Sequence, residues 1–176
     1  MTSPPTTTSA GNEGQQLPRA PRGKRRARPA PVEDFSPAGM QRMLEQVEAE
    51  LHTRYPQADL SPIASAFAFA VAAHGEQKRA SGEPYVSHPL AVARLLAELG
   101  LDPVAVSAAL LHDVPEDTEY SLGDVEERFG PDVARLVGGV TKLGKYSTVS
   151  IEQQQAENIR KMFLAMADDI RVVLIK

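Results

Sequence analysis

From Phe35 onward the apolar positions recur at helical spacing and continue to do so almost to the last residue. Met40, Met43, Leu44, Val47 and Leu51 fall on one helical face, opened by Ser36-Pro37 as cap and first-turn proline and stopped by Pro56. Ser61-Pro62 opens a second helix, with Ile63, Ala66, Phe67, Ala70 and Val71 on one face and an end at His74-Gly75. The segment from Glu76 to Ser87 has no period and contains Ser81-Gly82-Glu83-Pro84, which predicts a tight, fixed loop. His88-Pro89 begins a third helix, with Gly100 as its C-terminal cap residue. Asp102-Pro103 begins a fourth, apolar on nearly every face through Leu111 and therefore central. His112 and Asp113 fall at its C-terminal end, because Pro115 disfavours helix at Val114 and interrupts the bonding pattern.

Beyond that point Ser121-Leu122-Gly123-Asp124 reads as a capping box, with Leu122, Val125 and Phe129 buried and Gly130 closing the helix. Pro131 opens another helix through Val133, Leu136, Val137 and Val140. Gly144 to Thr148 reads as a mobile loop. Ser150 and Gln153 are expected to cap a long helix carrying Ile159, Met162, Phe163 and Met166, and Asp168 to start a last one over residues 170–176. No stretch alternates as a strand and no internal repeat is visible, so the expected fold is all-α, a compact helical bundle.

Composition adjusts this picture at three points. The apolar fraction of 42% is ordinary for a globular protein, and no apolar run approaches the about 18–20 residues that span a bilayer, which argues against a membrane protein. The N-terminus has no basic start followed by an apolar stretch, so no secretory signal is read there, and a cytoplasmic enzyme is the default expectation. There are no cysteines, so any metal site must use His, Asp or Glu. Residues 1–32 hold Arg19, Arg22, Lys24, Arg25, Arg26 and Arg28 against Glu13 alone, a net +5 that leaves −9 for the rest of a chain whose formal charge is −4. Residues 1–34, rich in Pro, Thr and Ser and nearly free of buriable side chains, are expected to form a disordered basic tail, and residues 35–176 the folded domain.

The candidate chemistry lies in His112-Asp113-Val114-Pro115-Glu116-Asp117, with His88 upstream. Two imidazoles and an aspartate can hold a divalent cation, and Glu116 and Asp117 are close enough to handle an attacking water. A lone histidine is more often a core or capping residue. Two of them, one next to Asp113 and followed by Glu116 and Asp117, reverse that preference, because three carboxylates crowded at a buried helix end are costly without a cation. His52 and His74, by contrast, read as solvent-facing or capping residues, and Glu126-Glu127-Arg128 as a solvated face. Lys142 and Lys145, flanking Gly144, are placed to meet phosphates at the mouth of such a site.

The block from Arg79 to Pro89 (Arg-Ala-Ser-Gly-Glu-Pro-Tyr-Val-Ser-His-Pro), the block from His112 to Thr118, Gly139-Val140-Thr141-Lys142-Leu143, and Asp169 to Lys176 together resemble the N-terminal hydrolase domain of the RelA/SpoT homologue family. These are bifunctional enzymes that make and degrade the alarmones ppGpp and pppGpp, and they lie within the His-Asp (HD) phosphohydrolases. The resemblance covers roughly residues 40–176. It implies an HD-type all-α fold and metal-dependent hydrolysis of the 3′-pyrophosphate of (p)ppGpp to GDP or GTP. It further implies Mn²⁺ held by His88, His112 and Asp113, with Glu116 and Asp117 orienting the attacking water. Arg79 would stack on guanine and Ser81 would contact the base, while Lys142, from its place beside Gly144, is taken as a further substrate contact.

The chain departs from the family pattern in carrying Ala80 where lysine is common and Pro115 where an aliphatic residue is usual. The resemblance also implies a fourth metal ligand, an aspartate three positions beyond Lys176, then a synthetase domain and a regulatory C-terminal half through which any ribosome contact would run. The chain is thus expected to be the N-terminal part of a longer protein. Two rival readings are an HD phosphohydrolase for another nucleotide and a catalytically incomplete regulatory module.

Overall fold

The computed structural model describes residues 34–144 and 151–176, with side chains of the second stretch from residue 159 onward. The expected tail up to residue 33, the loop beyond Gly144 and the Ser150 cap lie outside the described residues, as does the side chain of Gln153. The helices in chain order are α1 (Pro37–Arg54), α2 (Ser61–His74), α3 (Ser87–Glu98), α4 (Pro103–Leu111), α5 (Val114–Asp117), α6 (Leu122–Phe129), α7 (Pro131–Gly144), α8 (Ile151–Asp168) and α9 (Ile170–Ile175). Among the described residues the sole β feature is an isolated bridge between Lys78 and Pro84, and the fold is all-α.

Local chemistry accounts for most helix boundaries. Ser36 Oγ accepts from Gly39 N at the start of α1, with Pro37 in the first turn. Asp34, assigned to the tail by composition, accepts from Ser36 N and pairs with Arg42 at 2.6 Å, so it belongs to this helix start. Asp102 Oδ1 caps α4 through Ala105 N, and Ser121 and Asp124 form the expected reciprocal capping box on α6. At the end of α3, Gly100 N bonds to Ala97 O and Leu101 N to Leu96 O while Gly100 takes φ +83°, the left-handed closure that favours glycine.

Helix α4 is the hub. Residues 105–111 are all buried, and the helix packs against α2, α3, α7 and α9. A helix with no polar stripe has no face to offer water, so it is enclosed on all sides. Helix α1 lies on α3 and α6 on α7. The Gly138-Gly139 pair lets neighbours approach the α7 backbone. A Cβ at Gly138 would come within 2.9 Å of Leu122, and one at Gly139 within 2.8 Å of Val172 of α9.

Several expected positions are corrected. Val71 is 39% exposed, and the buried row of α2 is Ile63, Ala66, Phe67, Ala70 and His74. Leu122 lies against Gly138 yet is 38% exposed. No burial is read from sequence for Ile159, Met162, Phe163 and Met166 of α8, and they are exposed, the main neighbours of α8 among the described residues being α7 and α9. Helix α3 starts one residue early, at Ser87, and Asp169 rather than Asp168 caps α9 through Arg171 N. Helix α4 ends before Pro115 as expected, with His112 as its C-cap, but Val114 is itself helical and Pro115 opens a new turn. It sits in the first turn of the new helix α5, where its missing N–H costs nothing.

An ion network ties α9 to the hub. Arg171 bonds Asp169 at 2.7 Å and Asp102 at 2.8 Å, and Arg135 of α7 reaches Asp169 at 3.3 Å. The Arg171 hydrogen bonds, with the Arg171 and Arg135 charges behind them, outweigh burial and hold the Asp169 carboxyl down at about 2.

Candidate metal centre

Three elements converge on one point. The hairpin-like segment of residues 77–85 is closed by Arg79 N to Glu83 O, Gly82 N to Arg79 O and Tyr85 N to Gln77 O, each 2.9 Å. It delivers the chain directly into α3, so that His88 stands in the first turn of that helix. His112 is the C-cap of α4, and Asp113 is at once the next residue and the N-cap of α5. One ligand atom from each of His88, His112 and Asp113 can be chosen so that all lie within 4.8 Å of one another.

The hydrogen bonds at His112 define what the cluster can hold. His112 Nδ1 lies 2.7 Å from the Ala109 carbonyl, which only accepts, so Nδ1 carries the proton. His112 Nε2 then faces Asp113 Oδ1 at 3.0 Å. Two acceptors this close require a positive charge between them, either a second proton on the imidazole or a metal ion. The backbone contact at Nδ1 is the outer support commonly found behind a metal-binding imidazole. Burial, then the charge of His112, holds His88 below the usual imidazole range and so keeps a ring nitrogen free to coordinate. Burial pushes the Asp113 carboxyl up, but the contact with His112 and the charges of His112, His88 and Lys176 outweigh it and hold Asp113 below its ordinary value, as an anion. All three donors are nitrogen or oxygen, a set suited to a divalent transition ion.

The acidic pair sits beside this cluster. Glu116 and Asp117 fall in the single turn of α5, not at the C-terminal end of α4, so the carboxylates are not stacked against that helix's negative pole. Asp117 accepts from the Tyr85 hydroxyl at 2.7 Å, and Glu116 is exposed next to it. Arg79 and Ser81 stand exposed on the hairpin, and the charge of Arg79 is felt at both His88 and Tyr85. Lys142 is not part of the cluster. It lines a cleft of about 740 Å³ with Pro115, Glu126 and Arg135, adjoining the α5 turn, and also a cavity of about 510 Å³ between α7, α8 and α9.

Three residues near the site were not singled out from sequence, and a fourth, His74, was misread. His74 is buried rather than solvent-facing, and it stacks on Tyr85. Its place at +11 from Ile63, in register with Ala66, Phe67 and Ala70, was the available signal. Gln77 and Tyr85 reach Asp117, and Lys176 contributes charge at His88 and Asp113.

Comparison with known proteins shows the family. An HD domain family model matches residues 66–176, and the chain belongs to that family. It is 54% identical over 114 residues to a protein of Synechocystis sp. named probable guanosine-3′,5′-bis(diphosphate) 3′-pyrophosphohydrolase, covering 65% of this chain and 15% of that one. It is 51% identical over 133 residues to the guanosine-3′,5′-bis(diphosphate) 3′-pyrophosphohydrolase of Aquifex aeolicus, covering 76% of this chain and 18% of the relative. Against the bifunctional (p)ppGpp synthase/hydrolase SpoT of Escherichia coli it is 47% identical over 134 residues, covering 76% and 19%. The chain therefore spans less than a fifth of the length of these curated relatives. A solved structure described as a metazoan ortholog of SpoT that hydrolyzes ppGpp aligns with a TM-score of 0.52 and 30% identity, covering 65% of this chain and 64% of that one.

Proposed function

We propose that this chain carries a Mn²⁺-dependent hydrolase site that removes the 3′-pyrophosphate of ppGpp or pppGpp, yielding GDP or GTP. The observation that carries the reading is the His88–His112–Asp113 cluster with its fixed His112 tautomer, bordered on one side by the α5 acidic turn and on the other by the Arg79 hairpin. When bound, a divalent cation supplies Lewis-acid polarisation of the diphosphate and acidifies a water.

The chain's own residues do the rest. Glu116 and Asp117 orient the water and take up its proton as its oxygen bonds to the phosphorus on O3′, and they return that proton to O3′ as the bond from that phosphorus to O3′ breaks. The products are a free 3′-hydroxyl and pyrophosphate. The planar guanidinium of Arg79 stacks on guanine, Ser81 contacts the base, and Lys142 meets phosphate from the cleft beside Pro115. A cytoplasmic setting, and a parent protein with synthetase and regulatory regions, belong to the same reading.

The test is turnover of ppGpp, dGTP and a cyclic nucleotide side by side in excess Mn²⁺. Preference for ppGpp with pyrophosphate as product is expected. Preference for dGTP would replace the reading with that of an HD phosphohydrolase for another nucleotide.

A further inference from the structure

Asp117 is held from two directions by residues that the reading above leaves without a role. The Tyr85 hydroxyl donates to Asp117 Oδ2 at 2.7 Å, across 32 residues of sequence. Gln77 Nε2 donates to the Asp117 backbone carbonyl at 3.0 Å, across 40 residues. Only the amide nitrogen of Gln77 can donate to that carbonyl, so its Oε1 must be the atom 3.0 Å from His74 Nδ1, and His74 therefore carries its proton on Nδ1. The His74 ring, 3% exposed, lies stacked on Tyr85 with centroids 4.6 Å apart and planes 18° apart. Tyr85 N bonds back to Gln77 O at 2.9 Å, so the two residues that reach Asp117 are also tied to each other.

The object of this frame is a helix of four residues, closed by Asp117 N to Asp113 O and Thr118 N to Val114 O. One turn cannot maintain itself, because nucleating a helix fixes several residues for very few hydrogen bonds. Its geometry has to be imposed from outside. Burial, the hydrogen bond to Asp117 and the charges of Asp113 and Asp117 all hold the Tyr85 phenol above its ordinary range, so it remains a donor wherever the protein is folded near neutral pH. A hydrogen bond to an exposed carboxylate contributes modestly to global stability. What it does fix is direction.

We propose that His74, Gln77 and Tyr85 form a positioning frame for Asp117: Tyr85 sets the carboxylate, Gln77 sets the backbone of the α5 turn, and His74 locks both by stacking on the first and donating to the second. This inference rests on the proposed role of Asp117 in handling the attacking water. None of the three residues touches substrate in this scheme.

The test uses the full chain and four variants. Tyr85→Phe keeps the ring stack and deletes the hydroxyl. Gln77→Met removes the amide. His74→Phe keeps a stacked ring without the Nδ1 donor, and His74→Asn restores a donor at that place without the full ring. For each, melting temperature, bound Mn²⁺, hydrogen exchange of the amides at 114 and 116–118, and kcat and KM for ppGpp are measured. Tyr85→Phe is expected to keep its metal and a KM within about threefold, to exchange the Asp117 and Thr118 amides at least about tenfold faster, and to lose about 10–100-fold in kcat, the scale of a misplaced catalytic group. Gln77→Met is expected to follow it. His74→Asn should lie closer to wild type in exchange than His74→Phe.

Unchanged exchange and kcat in Tyr85→Phe would overturn the proposal, as would a kcat loss matched by loss of folded protein or of metal. If wild-type protein releases no pyrophosphate, the functional reading fails and the exchange measurement decides the frame alone. Faster exchange confined to 114–118 would then uphold it, and exchange equal to wild type would overturn it.

Discussion

Replacing Arg171 with leucine would remove the centre of the network that joins α9 to the hub helix. Arg171 makes four charge-assisted hydrogen bonds to the Asp169 and Asp102 side chains, and its own side chain is only 26% exposed. The Asp169 carboxyl titrates at about 2 in the fold against an ordinary 3.8, and its side chain is 12% exposed. Nearly two units at 1.36 kcal/mol each would amount to about 2.5 kcal/mol, an upper limit because Asp102 and Arg135 are open enough to water for screening. A working value is about 1–2 kcal/mol, a fall of about 3–8 °C in melting temperature for a domain of this size.

The sign of the pH dependence follows from the depressed carboxyl. Its contribution is fully present above pH 3.8 and is lost as pH falls through about 2. Urea unfolding of wild type and Arg171→Leu at several pH values between 7 and 2.5 should show a stability gap that is constant down to about pH 4 and narrows below it. A gap absent at pH 7, or one that stays constant to pH 2.5, would refute the assignment of that stabilisation to the Asp169–Arg171 pair.

Other consequences can be checked as directly. Gly139→Ala should destabilise by about 1–3 kcal/mol in a thermal melt, since its methyl meets the stiff Val172 side chain. Gly138→Ala meets only the flexible, part-exposed Leu122 and should be neutral or stabilising by up to about 1 kcal/mol through helix propensity. Leu110→Ala, at a fully buried position in α4, should cost about 2–5 kcal/mol by chemical denaturation. His112→Ala and Asp113→Ala should lose divalent metal by equilibrium dialysis, whereas Glu116→Gln should keep the metal and lose most turnover.

The hub helix was readable because an almost wholly apolar run bounded by Asp102-Pro103 and His112 has no other stable placement, and caps such as Ser36, Asp102 and the Ser121–Asp124 pair act locally. The same periodicity put Val71 on the face of Ile63, Ala66, Phe67 and Ala70, yet Val71 is 39% exposed, because spacing defines a face and not a partner for every position on it. His74 was misread for the opposite reason. Its residue type and adjoining glycine suggested solvent, while its register with Ile63, Ala66, Phe67 and Ala70 placed it inside. Pro115 was rightly read as the end of α4, but the new turn it starts at Val114 was not foreseen, since that depends on Asp113 capping the next helix. The three clustered donors were named from spacing and resemblance. The supports behind them, Ala109 O for His112 and the Tyr85 and Gln77 bonds to Asp117, depend on contacts that sequence separation hides.

The central claim is best tested by incubating ppGpp with the wild-type chain and with Asp113→Ala, each with excess Mn²⁺ and with chelator, and quantifying every product by anion-exchange chromatography. Equal amounts of GDP and pyrophosphate from wild type with Mn²⁺, and from neither the chelated nor the variant sample, is the predicted result. Release of orthophosphate instead, no turnover with Mn²⁺ present, or turnover undiminished in Asp113→Ala would contradict it.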